Sequence, residues 1–160
     1  MKRLRRPKTP HTIHEFAAML NDPQNTNYAS TLQIIPSTFF QQELIVNGIS
    51  VAVVFANIDA IHRYCEELAS VELVGVDATY ECKQYLLAFP MVYAFLGSET
   101  QETYSTLLTV LRNILPLCYN GIRLVTDYES ALMNAIREVF PNSQLVCCWF
   151  HYTNINIILL

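Results

Sequence analysis

Apolar and polar residues alternate along this chain in two distinct periods. Leu132, Ala135, Ile136 and Val139 recur at helical spacing. So do Tyr104, Leu107, Leu108, Leu111, Ile114 and Leu115, and near the start Ile13, Phe16, Ala17 and Leu20. A fourth stripe, Ile61, Tyr64, Cys65 and Leu68, follows Asn57, which can cap a helix. Between these windows lie short β-rich runs: 43–46, 49–55, 71–76, 122–126 and 145–150. The segment 85–96 is another strand, or two joined at Phe89-Pro90, because proline is not expected inside a central ladder.

Turn chemistry sets the limits of these elements. Thr12-Ile-His-Glu15 has the form of a capping box and Asn21-Asp22-Pro23 ends the first helix; Ser98-Glu-Thr-Gln101 resembles a second such box, and Pro116 closes the helix after it. Asn47-Gly48 between two β-rich runs is a strong hairpin signal, since both turn positions need positive φ. Residues 21–38, punctuated by Pro23 and Pro36, read as a loop with a short strand near Leu32–Ile35. From Gly121 to His151 the order is strand, acidic turn, helix, strand and Cys-x-x-His, with Phe140-Pro141-Asn142 stopping the helix. The expected class is α/β: a small α+β segment over 12–70, then a mixed sheet flanked by helices over 71–160.

Charge adds an uneven layer to this picture. Lys2, Arg3, Arg5, Arg6 and Lys8 supply half of the basic residues, so five remain against 14 acids and the rest of the chain stands at −9. Residues 1–11 therefore read as a basic flexible arm, able to contact phosphate weakly, to serve as a nuclear address, or simply to be solvated. An acidic body is a poor general surface for nucleic acid. The N-terminus lacks an apolar signal stretch and no run is long enough to span a membrane, so neither a secretory nor a membrane protein is expected. Five irregularly spaced cysteines do not make a disulfide framework and fit a reducing compartment, nuclear or otherwise cytoplasmic.

Two predicted strands each finish in a carboxylate, Asp77 and Asp127. If the strands are neighbours, the carboxylates converge at one end of the sheet, where α/β folds keep ligands. Convergent carboxylates repel unless a cation lies between them, and hard oxygen donors suit Mg²⁺ or Mn²⁺. Either aspartate alone is better explained as a turn cap; only the pair argues for a site. Cys148-x-x-His151 has half the spacing of a zinc site, or is a buried thiol beside a hydrogen-bonded histidine. His11, His14 and His62 read as surface residues.

The ordered segments Val76-Asp77-Ala78-Thr79-Tyr80, Pro90-Met-Val-Tyr-Ala-Phe-Leu96, Tyr104, Thr126-Asp127-Tyr128-Glu129-Ser130-Ala131 and Cys148-Trp-Phe-His151 resemble the motifs of the Mutator-like element (MULE) transposase domain. The family forms are Asp-Gly-Thr-Phe, Pro-x-x-Tyr-Ala-Leu, Asp-Phe-Glu-x-Ala and Cys-x-Phe-His. The resemblance covers about Val71 to Tyr152. It implies a ribonuclease H-like fold in which an acidic triad binds two divalent ions for cleavage and joining of transposon DNA. Asp77 corresponds to the first acid and Asp127 to the second.

The third family acid, a glutamate, follows the Cys-x-x-His beyond a helical insertion, and no acidic residue stands between His151 and Leu160. Glu129 and Glu138 precede the motif and do not correspond to it. Ala78 replaces the family glycine, and the spacing from Asp77 to Pro90 is short. The resemblance thus implies a transposase fragment from a degenerate or domesticated element, truncated after the Cys-x-x-His and inactive alone. The alternative is a domesticated DNA-associated regulator or protein-interaction module, with a protein partner or a missing C-terminal remainder covering the apolar run Ile155 to Leu160.

Overall fold

The computed structural model describes residues 10–22, 39–76 and 91–148. The described chain forms two compact units: one within Met1–Asp59 and Met91–Ser98, the other within Ala60–Pro90 and Glu99–Leu160.

The first unit holds helix α1 (Ile13–Asn21) and strands β1 (Phe40–Val46), β2 (Ile49–Ala56) and β4 (Val92–Leu96). Thr12 caps α1, its hydroxyl accepting from the Glu15 amide at 3.0 Å. Glu15 reaches back one residue further than the box pattern implies, accepting the His11 N–H at 2.8 Å. Two amides at the helix start, which have no partner within the helix, are thereby satisfied. Asn47 (φ 51°) and Gly48 (φ 78°) turn β1 into β2 with the left-handed backbone the Asn-Gly pair predicts. Both strands next to β2 run antiparallel to it, in the order β1-β2-β4. Ala17 of α1 packs on Val53 and Phe55, and Ile13, Phe16, Leu20 and Phe39 close around them. Phe95 meets Phe16 and Phe55 edge-on at 5.7 and 5.9 Å, a favoured aromatic geometry. The predicted strand near Leu32–Ile35 and the first half of the 85–96 run lie outside the described residues.

Two short helices, α2 (Ile58–Arg63) and α3 (Cys65–Ala69), replace the single helix expected after Asn57. The chain breaks at Tyr64. Of the predicted apolar stripe, Ile61 is buried and Leu68 half-buried, whereas Tyr64 and Cys65 are exposed.

The second unit carries β3 (Leu73–Gly75), α4 (Gln101–Ile114), β5 (Arg123–Thr126), α5 (Ser130–Val139) and β6 (Gln144–Cys147). Its described strands are parallel, in the order β3-β5-β6. Central β5 alternates, with Leu124 and Thr126 buried, and Ile122 buried just before it. By contrast β3 lies at the edge of the described sheet, and Leu73, expected to be buried, is 51% exposed. Leu132, Ala135, Ile136 and Val139 of α5 are all buried, as their period predicts. On α4, Tyr104, Leu107 and Leu108 are buried while Leu111 and Ile114 are partly covered. The cap of α4 is Thr100 and not Ser98: the Thr100 hydroxyl accepts the Thr103 amide at 3.3 Å. Helix α4 packs on α5. Ser105 and Gln101 both donate to Glu138 Oε2, at 2.8 and 3.1 Å, and Arg112 donates to the Val139 carbonyl at 3.3 Å.

The described residues are therefore mixed α/β, with their parallel and antiparallel pairing divided between two three-stranded sheets where one mixed sheet was expected over 71–160. The reason is the pairing of β4, whose hydrogen bonds go to β2 of the hairpin. No described helix is long and apolar enough to cross a membrane.

Candidate active site

The carboxyl ends of three parallel strands define one edge of the second unit. The register pairs Gly75 with Val125 and Thr126 with Cys147. Beyond the strands proper, the Val76 amide donates to the Val125 carbonyl at 2.7 Å, and the Cys148 amide to the Thr126 carbonyl at 2.7 Å. Strand β3, which leads into Asp77, thus ends beside β5, which leads into Asp127. Cys148 leaves β6 on the other side of β5. Asp77 and His151 lie outside the described residues.

Asp127 is the first residue past β5 and is half-buried. Its Oδ1 accepts the Glu129 amide at 3.0 Å, the Asx-turn geometry that starts many helices. The Thr126 hydroxyl approaches the same oxygen at 3.5 Å, and Thr126 is itself 1% exposed. The turn-capping role foreseen for this aspartate is therefore real, and both bonds fall on one carboxylate oxygen. A half-buried carboxylate at the carboxyl end of a parallel sheet is a hard donor of the kind Mg²⁺ or Mn²⁺ takes. Cys148 is a free, half-buried thiol, a soft donor suited to zinc and not to magnesium. Among the described residues, no three histidine, cysteine, aspartate or glutamate side chains group to hold a metal ion.

Behind Asp127, α4 contributes a residue whose role sequence reasoning missed. Tyr104 is 2% exposed, and its hydroxyl donates to Glu129 Oε2 at 2.7 Å. Burial first, then the bond to Glu129 and its charge, raise the Tyr104 pKa far above the ordinary tyrosine value. Glu99 and Asp127 add to the same effect. The phenol therefore stays protonated and acts as a donor. Tyr104 reads from the sequence as a core position on a helical stripe. The two residues stand 25 apart in the chain, and nothing in that spacing reveals that they meet.

Residues 62–154 match the family model of the MULE transposase domain, more than half of the chain. The chain belongs to the MULE transposase domain family. The match begins upstream of the resemblance read from the motifs, taking in the end of α2 and all of α3, and closes just past His151. No curated protein and no solved structure matches the chain. Within the MULE region the described residues include Tyr104, Asp127, Glu129 and Cys148, so the acidic turn and the tyrosine behind it both belong to the part that carries the family signature.

Proposed function

We propose that the second unit of this MULE protein is a ribonuclease H-like transposase domain. In this reading Asp77 and Asp127 are the first two acids of a divalent-cation site for cleavage and joining of DNA strands. The observation that carries it is the parallel pairing of β3 with β5, continued by the Val76 to Val125 bond, because it ends side by side the two strands after which the sequence places Asp77 and Asp127. When two Mg²⁺ or Mn²⁺ ions are bound at such a site, they stabilise the entering and leaving oxygens of an in-line displacement. The chain's own contribution is to hold Asp127 at the sheet's edge, with one oxygen committed to the turn.

The residues after His151 hold no acid to serve as the third ligand. Two carboxylates leave the geometry of two ions underdetermined, so the 160-residue chain by itself is expected not to cut or join DNA. Two measurements test these statements separately. Mn²⁺ binding, followed by electron paramagnetic resonance, should weaken about tenfold or more in both Asp77→Asn and Asp127→Asn; unchanged binding in both variants removes the metal site. Incubation of the chain with DNA and Mg²⁺ or Mn²⁺ should give no nicking, and nicking that Asp127→Asn abolishes overturns the inactivity.

A second reading has its own support in the segregation of charge. Five basic residues within the first eight positions, set against an acidic remainder, suit a DNA-associated module that works without catalysis. Here the arm supplies weak, salt-dependent phosphate contact and the folded units act as an interaction surface. Either reading suits a nuclear location, for which the basic arm would serve as an address, with the cytoplasm as the alternative.

A further inference from the structure

Among the described residues of the second unit, Tyr104 is a buried phenol whose hydroxyl is spent on a carboxylate. That carboxylate belongs to Glu129, at the N-cap position of α5, where its side chain makes no capping bond. The Glu129 backbone amide, in turn, is the donor to Asp127 Oδ1 at 3.0 Å. A continuous chain of bonds therefore runs from α4 through the Glu129 side chain and backbone to the Asp127 carboxylate. Its far end is anchored, because Tyr104 sits on the buried face of α4 between Thr103 and Leu107 and Leu108. Glu129 needs such a tether. Without it the side chain is free to rotate toward Asp127, two residues away, where a second carboxylate repels the first or competes for the same cation.

We infer that Tyr104 is a positioning residue: its hydrogen bond to Glu129 fixes the β5–α5 turn, so that the Glu129 amide holds Asp127 Oδ1 and the Glu129 carboxylate is kept out of the acidic site. This rests on Asp127 being a metal-binding acid, as proposed above, but the tether itself can be measured without metal. Outer partners of a ligand commonly change metal affinity without touching the ion. Tyr104 acts at one further remove, through the residue that bonds to Asp127.

The test uses the full chain and three variants: Tyr104→Phe, which removes only the hydroxyl; Glu129→Gln, which keeps an oxygen to accept the bond; and Asp127→Asn. Exchange of the Glu129 amide with deuterated water, read by nuclear magnetic resonance, is the first readout. It should quicken in Tyr104→Phe and stay near wild type in Glu129→Gln; unchanged exchange in Tyr104→Phe overturns the inference. Mn²⁺ affinity is the second. Tyr104→Phe should weaken it on the order of tenfold, with Glu129→Gln close to wild type. Where Asp127→Asn does lose Mn²⁺, a lowered melting temperature of Tyr104→Phe with unchanged Mn²⁺ affinity reduces Tyr104 to a packing role and overturns the inference. So does loss of Mn²⁺ in Glu129→Gln with none in Tyr104→Phe, which makes Glu129 a ligand. If the amide exchange responds as expected but Asp127→Asn binds Mn²⁺ like wild type, the tether stands and the metal-site reading fails.

Discussion

Tyr119 shows how one side chain in the second unit makes stability depend on pH. Its ring stacks on Phe140 with centroids 4.7 Å apart and planes 17° from parallel. Its hydroxyl lies 3.3 Å from the Leu115 carbonyl and 3.4 Å from that of Leu111, two acceptors at the C-terminal end of α4 that also take the Leu117 and Leu115 amides. Burial pushes the phenol pKa up to about 12, against an opposing pull from Arg112. The unfolded chain loses this proton near pH 10. The folded chain keeps it, so between about pH 10 and about 12 the unfolded state binds fewer protons and stability falls as pH rises. The raised pKa of Tyr104 acts in the same direction. Melting temperatures recorded from pH 8 to 11 should therefore decline above pH 10, and less steeply in Tyr119→Phe. Equal slopes in the two proteins would locate the alkaline sensitivity elsewhere.

Elements obey their local signals most closely where a backbone conformation is demanded. Gly48 at φ 78° ends the β1–β2 turn, and a side chain there has open space but a strained backbone. The left-handed region costs a residue with a Cβ about 1 to 2 kcal/mol. Gly48→Val should destabilise the chain by about that amount in urea unfolding, with the midpoint moving and the slope unchanged; no shift in midpoint would mean that the turn relaxes to another type. The caps carry a related lesson. Thr12 begins α1 as its sequence pattern predicts, whereas α4 begins at Thr100 although Ser98 fits the pattern as well. Two hydroxyl residues two positions apart are both competent caps, and local pattern does not choose between them. The burial of Thr103 and Tyr104 against the unit's interior makes the choice. A similar conflict breaks the stripe after Asn57, where only Ile61 is buried and the helix divides at Tyr64.

For the whole molecule, the distribution of charge predicts behaviour that no single element does. The basic arm should bind DNA weakly, with an affinity that falls as salt is added, because neutralised phosphates release counterions. For about four to five phosphate contacts, raising salt from 50 to 200 mM should cost on the order of a hundredfold or more. Fluorescence anisotropy with a labelled duplex would measure this, and deletion of residues 1–8 should abolish it. Binding that survives the deletion, or that ignores salt, would place the contact on the folded units instead.

Spacing, caps and turn residues located the helices α1, α4 and α5, the hairpin and the short strands β3, β5 and β6, because each is specified within about fifteen residues. The motif order likewise sufficed to point to the MULE family. Tertiary structure decided what local pattern cannot encode. It chose β2 as the partner of β4 and left β3 with an exposed Leu73 at the edge of the described sheet. It also brought Tyr104 to Glu129. Strand pairing and side-chain meetings of this kind join residues distant in the chain, and their energies depend on which surfaces are left to bury once the local elements have formed.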